Sequence, residues 1–390
     1  MDTTGAPTIT AAVPGSFEWD VFHGRHPKLI RQVLDTSPYT SAEQALLQQL
    51  LVESTTGVIE PLPETAHDRA DWLAWGEHFY GRPWGEVPFL WSESYFYRRL
   101  LDAVGYFGSG AWCGVDPFAP VKNAELMGQT VDEELCALAD LTGGPGDHHE
   151  ALLVAALWGN RADLSFQLQL SATAAEARSE GILVDDSALL WSALGSQEDP
   201  IVCVVADNAG RELLADLVLA DSLLTQRLAA EIVLYVKPHP YYVSDATMAD
   251  VLAVIRRLRT APRPQIATIG DRLWDAVRSG RLTVRTHGFF CAPLAFHDMP
   301  DELAAEFATA TMTLMKGDLN YRRLVGDRYW PATTPFNDTV DYFPSPVTAL
   351  RTMKSEVVVG LSPEQLADLD ASGQRWRTDG GHALIQVRVD

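Results

Sequence analysis

Residues 199–221 read DPIVCVVADNAGRELLADLVLAD, and the run changes character twice. Ile201 to Val205 is an unbroken β-rich apolar run, as in a strand covered on both faces. It stops at Asp207 and Asn208. From Gly210 the apolar residues recur at helical spacing, on to about residue 229. A buried strand has no use for a carboxylate and a carboxamide at its tip unless something outside the strand needs their oxygens. The competing reading is that they cap the following helix, as Asp and Asn routinely do.

The same unit recurs downstream. AEIVLYVKPHP (230–240) reads as a strand, and SDATMADVLAVIRRLRT (244–260) as a helix with Ser244 or Asp245 as its N-cap. RLTVRTHG (281–288) and ATMTLMKGD (310–318) are strands, and LNYRRLVGD (319–327) is a short helix. SPVTALRTMK (345–354) and HALIQVRV (382–389) are strands again. Strands alternating with helices imply a layered α/β sheet.

Upstream, from about 25 to 140, the chain is mainly helical. SAEQALLQQLLVEST (41–55) has Ser41 as N-cap, VPFLWSESYFYRRLLDAVGYF (87–107) is an aromatic-rich amphipathic helix, and DEELCALADL (132–141) is another. TGGPGD (142–147) is the clearest breaker, and HHEALLVAALWGNRADLSFQLQL (148–170) reads as helix, turn, helix. The expected division is a flexible leader over 1–15, a helical domain over 16–145 and an α/β domain over 146–390. No internal repeat or low-complexity segment interrupts it.

The chain has 390 residues, 47% hydrophobic and 21% charged, with a formal net charge of −22. That field repels nucleic acid and anionic membrane surfaces, so neither is an expected partner. An anionic substrate would need a local positive pocket or a metal ion. Cys113, Cys136, Cys203 and Cys291 form no CxxC pair and read as reduced packing residues of a cytoplasmic protein. The N-terminus lacks the basic and apolar regions of a secretory signal, and no run reaches about 18 apolar residues. Of 30 basic residues only five are lysine: Lys28, Lys122, Lys237, Lys316 and Lys354. Where arginine is the usual cation, a lysine suggests a need for its compact ammonium.

Ligands of open α/β sheets bind beyond the carboxyl ends of the strands. There the sequence puts Asp207 and Asn208; Lys237, Ser244 and Asp245; His287; Lys316, Asp318 and Asn320; and Arg351, Thr352 and Lys354. Carboxylates that hold a divalent cation, beside ammonium groups that neutralise phosphate oxygens, are the pattern of a phosphate–metal site. Each part has a plainer reading: Asp207–Asn208 and Asp245 as caps, Lys316–Asp318 as a turn, His287 as a satisfied turn histidine. His148 and His149 are adjacent, so on a helix they face different sides.

DNAGRELLADLVLAD, KPHPYYVSDAT, KGDLNYRRLVGDRYW and LRTMKSEVVVGL, in that order, closely resemble the damage-control phosphatase family (domain of unknown function 89), and within it the acidic-residue-methyltransferase-like subfamily. The subfamily mark is an Arg-Thr-x-Lys motif near the C-terminus, here Arg351-Thr352-Met353-Lys354. VPFLWSESYFYRRL, DPFAPVK and LWGNRADLS also look like family segments, so the likeness runs from about residue 20 to 390.

The resemblance implies a helical N-terminal part packed on a three-layer α/β/α domain with a mixed, largely parallel sheet. It implies a divalent metal (manganese, nickel, cobalt or magnesium) held by Asp207, Asn208 and Asp245. It makes Asp207, Asn208, Asp318, Leu319, Asn320, Tyr321 and Arg322 substrate-contacting and Lys354 phosphate-binding. Glu212 matches a position assigned to S-adenosylmethionine in members reported to methylate. The implied reaction is hydrolysis of phosphate monoesters of small metabolites, especially sugar phosphates such as fructose 1-phosphate and fructose 6-phosphate.

The expected mechanism has Lys354 and Lys316 on phosphate oxygens, and Asp207 or Asp318 orienting the attacking water. Arg351 supports the lysine or binds phosphate, and Asn160, Arg161 and Asp163 reach the same crevice. The expected assembly is a monomer or small homo-oligomer. The alternatives are an S-adenosylmethionine-dependent carboxyl methyltransferase, a non-catalytic metabolite-binding protein, and a family member recruited to a biosynthetic pathway. Against methyl transfer, DNAGRE has one glycine where a dinucleotide-type turn would have three. The arginine and alanine bias suggests a bacterial source.

Overall fold

Along the strand at 201–205, Val202 and Val204 enter one hydrophobic cluster while Cys203 and Val205 enter another. That alternation is the two-residue period of a strand with both faces covered. The computed structural model describes residues 5–141, 148–159 and 181–389. Its seven strands are β1 (Ile182–Asp185), β2 (Ile201–Val205), β3 (Glu231–Val236), β4 (Leu282–Thr286), β5 (Met312–Lys316), β6 (Val347–Thr352) and β7 (Ala383–Arg388). They form one sheet in the order β1-β7-β6-β5-β2-β3-β4, with only the β6–β7 pair antiparallel. The chain leaves β2 toward β3 and β4, then returns to the other side of β2 as β5 and continues outward. The topological switch point, where such sheets bind ligands, therefore lies between the ends of β2 and β5.

Helices His148–Trp158, Gly210–Thr225, Met248–Arg259 and Pro264–Ser279 cover the face of Val202 and Val204. Helix Gly317–Val325 covers the other face through Tyr321, Leu324 and Val325, and the N-terminal helices join it there. A single cluster contains Phe22, Ile30, Leu47, Trp72, Phe89 and Phe96 together with Val205, Tyr235, Met315 and Leu384. The helical N-terminal part and the sheet thus share a core. The result is the expected three-layer α/β/α architecture with a mixed, mostly parallel sheet.

Several local expectations are corrected. Residues 6–11 are packed rather than loose: Ala6, Ile9 and Ala11 are buried, and Tyr329 N donates to Pro7 O at 2.9 Å. Backbone bonds and an isolated antiparallel bridge between Thr8 and Arg328 tie this segment to the 327–330 loop, which no local pattern reveals. The first long helix, Ser41–Thr56, is capped by Thr40 rather than Ser41, in a reciprocal box with Glu43. Helix Met248–Arg259 is capped by Thr247 with Asp250, which leaves Ser244 and Asp245 uncommitted to capping. Strand β1 carries no strong signal because it is four residues long and ends in Asp185. The breaker at 142–147 and the second half of the segment at 148–170 lie outside the described residues.

Candidate active site

Beyond β2 the chain is zipped to the segment after β3. Ala209 N donates to Ser244 O at 2.6 Å, Ala246 N to Asp207 O at 2.9 Å, and Lys237 N to Ala246 O at 2.9 Å. Asn208 and Asp245 pair as an isolated antiparallel bridge. These backbone bonds bring two strand tips together and aim Asp207, Asn208, Ser244 and Asp245 into one cleft of about 440 Å³. Asp318, Leu319, Arg322 and Lys354 line it from beyond β5 and β6. A larger cleft of about 560 Å³ lies around Leu46, His67 and Arg99. Its charges are already matched, Arg99 to Glu53 at 3.0 Å and Asp102 to Arg98 at 2.7 Å, so it offers less chemistry.

Neither Asp207 nor Asn208 caps the helix that follows, which has Ala209 at its cap position and no side-chain cap bond. Asn208 Nδ2 donates to Asp207 Oδ2 and to Glu212 Oε2, both at 2.9 Å, and its Oδ1 accepts from Ser244 Oγ at 2.5 Å. Asp245 Oδ2 accepts from Tyr242 N at 3.0 Å. Burial, followed by the charges of Glu212 and Asp245, pushes the Asp207 carboxyl well above the usual range. Burial also pushes Asp245 up, opposed chiefly by Lys237.

Asp318 behaves differently. Burial works to raise it, but the guanidiniums of Arg351 and Arg322 prevail and hold it below the usual range. Its Oδ1 accepts from Arg351 Nε at 2.8 Å and from Lys354 N and Ser355 Oγ at 3.1 Å each. Oδ2 has no donor among the described residues.

The donor set suits a divalent ion. Among the described residues no three His, Cys, Asp or Glu side chains gather closely enough to hold one. A third donor beside Asp207 and Asp245 would be the Asn208 carbonyl, which accepts from Ser244 Oγ and keeps a second lone pair. Two carboxylates and an amide oxygen are hard ligands that leave room for water and phosphate oxygens. A cation would offset the burial and the charges of Glu212 and Asp245 that together lift Asp207.

Other expected residues lie elsewhere. Lys316 is buried beneath the cleft, donating to Ala156 O and pairing with Asp216 at 3.1 Å and Glu212 at 3.6 Å. It faces carboxylates and no phosphate position. Arg351 is wholly buried over the Tyr321 ring, where it also holds Ser355 and the Val357 carbonyl. It supports Asp318 and the Lys354 backbone and does not line the cleft. Asn320 donates to the Ala206 and Lys316 carbonyls at 3.1 and 2.8 Å, tying β2 to β5. Tyr321 donates to Gln386 inside the core at 2.9 Å. Glu212 is 6% exposed and held by Asn208, not presented to a cofactor. His287 accepts from Phe289 N and caps a short turn. Asn160, Arg161 and Asp163 lie outside the described residues.

The opposite wall was not legible in advance. Arg25, His26, Lys28, Glu93 and Tyr97 come from the N-terminal helices, and Tyr242 from the loop after β3. Arg322, gripped by Asp327 at 2.7 Å, donates to Glu93 at 3.1 Å and bridges the two walls. The available hints were Lys28, one of five lysines, and the polar pair Glu93 and Tyr97 four apart within an aromatic helix.

No helix of the described residues is long and apolar enough to cross a membrane. The model of the damage-control phosphatase ARMT1-like domain matches residues 21–369. The chain is 32% identical to the damage-control phosphatase ARMT1 of Mus musculus, over 97% of both chains. It is 30% identical to the one of Homo sapiens, over 95% of this chain and 96% of the other. A DUF89 family protein of Pyrococcus horikoshii, known from its crystal structure, matches with a TM-score of 0.50 at 14% identity, over 94% of this chain and 97% of that one. That likeness bears on the fold alone, and none of these relatives lends support to a bacterial source. The chain belongs to the damage-control phosphatase ARMT1-like domain family.

Proposed function

We propose that this protein is a metal-dependent phosphatase of small phosphate monoesters, with sugar phosphates of the fructose 1-phosphate or 6-phosphate type as its substrates. The family it belongs to supports the phosphatase reading. The observation that carries the site is the meeting of Asp207, Asn208 and Asp245 with Asp318 and Lys354 in one cleft at the switch point.

Asp207, Asn208 and Asp245 would hold the ion. When bound, a divalent ion neutralises phosphate charge and polarises the phosphoryl group. Lys354, exposed at the cleft, places its ammonium on the phosphate oxygens. Asp318, held below the usual carboxylate range with Oδ1 engaged by Arg351, orients the attacking water through Oδ2. Little covalent work is required, because phosphoryl transfer is mostly positioning and charge stabilisation. The volume of the cleft suits a small metabolite.

The test is phosphate release from a panel of sugar and nucleotide monophosphates, with manganese, cobalt, nickel and magnesium in turn. Release that chelation abolishes, and that Asp245→Ala lowers by about 100-fold or more, is expected. Turnover by Asp245→Ala at the wild-type rate, or no release with any ion, would end the reading.

A further inference from the structure

Lys237 is the first residue beyond β3 and is 2% exposed. Its Nζ has no hydrogen-bond partner among the described residues. Its neighbours include the rings of Tyr241 and Phe290, at 5.8 and 5.9 Å. An ammonium is among the costliest groups to bury without a partner. The other two buried lysines are matched by contact: Lys122 with Asp116 at 2.7 Å and Asp250 at 2.8 Å, Lys316 with Asp216 at 3.1 Å. Lys237 therefore depends on charges it does not touch.

Those charges are Asp207 and Asp245. The Lys237 amide bonds to Ala246 O, and Ala246 N bonds to Asp207 O, so one backbone relay joins all three positions. Lys237 is the leading cation opposing the effect of burial on both carboxylates. Taken alone and with both carboxylates ionised, Asp207, Asp245 and Lys237 carry a single net negative charge. A divalent ion turns that into a single net positive charge. Without the ammonium, the same ion would only bring the group to neutrality. A phosphate monoester arrives with a charge of about −1.5 to −2 at neutral pH.

We propose that Lys237 sets the sign of the loaded cleft: it weakens binding of the divalent ion and strengthens binding of the phosphate that follows. This rests on the metal-dependent reading above. Lys237 acts through the field and touches neither substrate nor ion.

The two effects have opposite signs, which a merely structural role would not produce. The test is calorimetric titration of the full chain with Mn²⁺ alone, then with inorganic phosphate at saturating Mn²⁺. In Lys237→Met the Mn²⁺ dissociation constant is expected to fall by about tenfold and the phosphate dissociation constant to rise by about tenfold. Lys237→Arg, which keeps the charge, should move both less. If Met is not tolerated, Lys237→Gln is read by the same titrations; failure of both to fold would mean that the lysine serves the fold, and would overturn the proposal. Two affinities that change in the same direction, or neither changing, would also overturn it. Wild-type protein that takes up no Mn²⁺ would instead sink the metal reading itself.

Discussion

Gly317 has no side chain because Asp207 occupies the place where one would be. A Cβ there would overlap the Asp207 carboxylate, and the residue sits at φ +83°, where other L residues are strained. The KGD turn is thus the seat against which the Asp207 carboxylate rests. Gly317→Ala is expected to lose about 1–2 kcal/mol of stability from the backbone alone. It should also displace Asp207, weakening Mn²⁺ uptake by at least about tenfold. A urea midpoint together with an Mn²⁺ titration measures both, and an unchanged Mn²⁺ affinity would refute the role given to Asp207. The scarcity of lysine also gains a meaning at this scale. Lys28 and Lys354 line the cleft, while Lys122, Lys237 and Lys316 are buried beside its carboxylates or their neighbours. All five gather around one site.

Among the elements, helix Met248–Arg259 shows how a cap decides which residues are left for chemistry. Thr247 and Asp250 satisfy its first turn reciprocally, so Asp245 can turn to the cleft. Thr247→Ala should cost about 1 kcal/mol of stability while leaving Mn²⁺ affinity unchanged. A denaturation curve beside a titration checks this, and a large loss of affinity would mean that the helix start itself shapes the site. Strand β6 makes a related point. Val347 and Ala349 belong to the cluster under helix Gly317–Val325, and Leu350 to the opposite one. Strand parity therefore sends Arg351 under that helix, against Asp318 and Tyr321, and only Lys354, past the strand end, reaches solvent.

Across the whole molecule, the cleft is a seam between the N-terminal helices and the sheet, and His26 sits in it. The imidazole is 1% exposed and stacked on Phe96 at 3.6 Å. Burial, aided by the charge of Arg25, pushes it down to about 3. The folded state thus keeps His26 neutral where the unfolded chain would protonate it. Its contribution is complete above pH 6.5 and is lost as the pH falls toward 3. Between pH 6.5 and 5 the loss is about 2 kcal/mol. His26→Phe should flatten this part of the stability profile. Equal losses in both proteins, measured by denaturant unfolding at the two pH values, would place the acid sensitivity elsewhere.

The sequence by itself determined the layered sheet, six of its seven strands, and the family. Strand and helix periods and ordered motifs are local patterns that survive in one dimension. It also put Asp207, Asn208, Asp245, Asp318 and Lys354 at strand tips, where the folded chain brings them into one cleft. Only the tertiary structure decided which tip residues face that cleft. Lys316, Arg351, Asn320 and Tyr321 turn inward because partners distant in the chain, such as Ala156, Asp216 and Gln386, meet their polar groups there. The N-terminal wall, the seat at Gly317 and the unmatched charge of Lys237 depend likewise on contacts between remote segments. Burial and pairing belong to the packed molecule, and no local spacing records them.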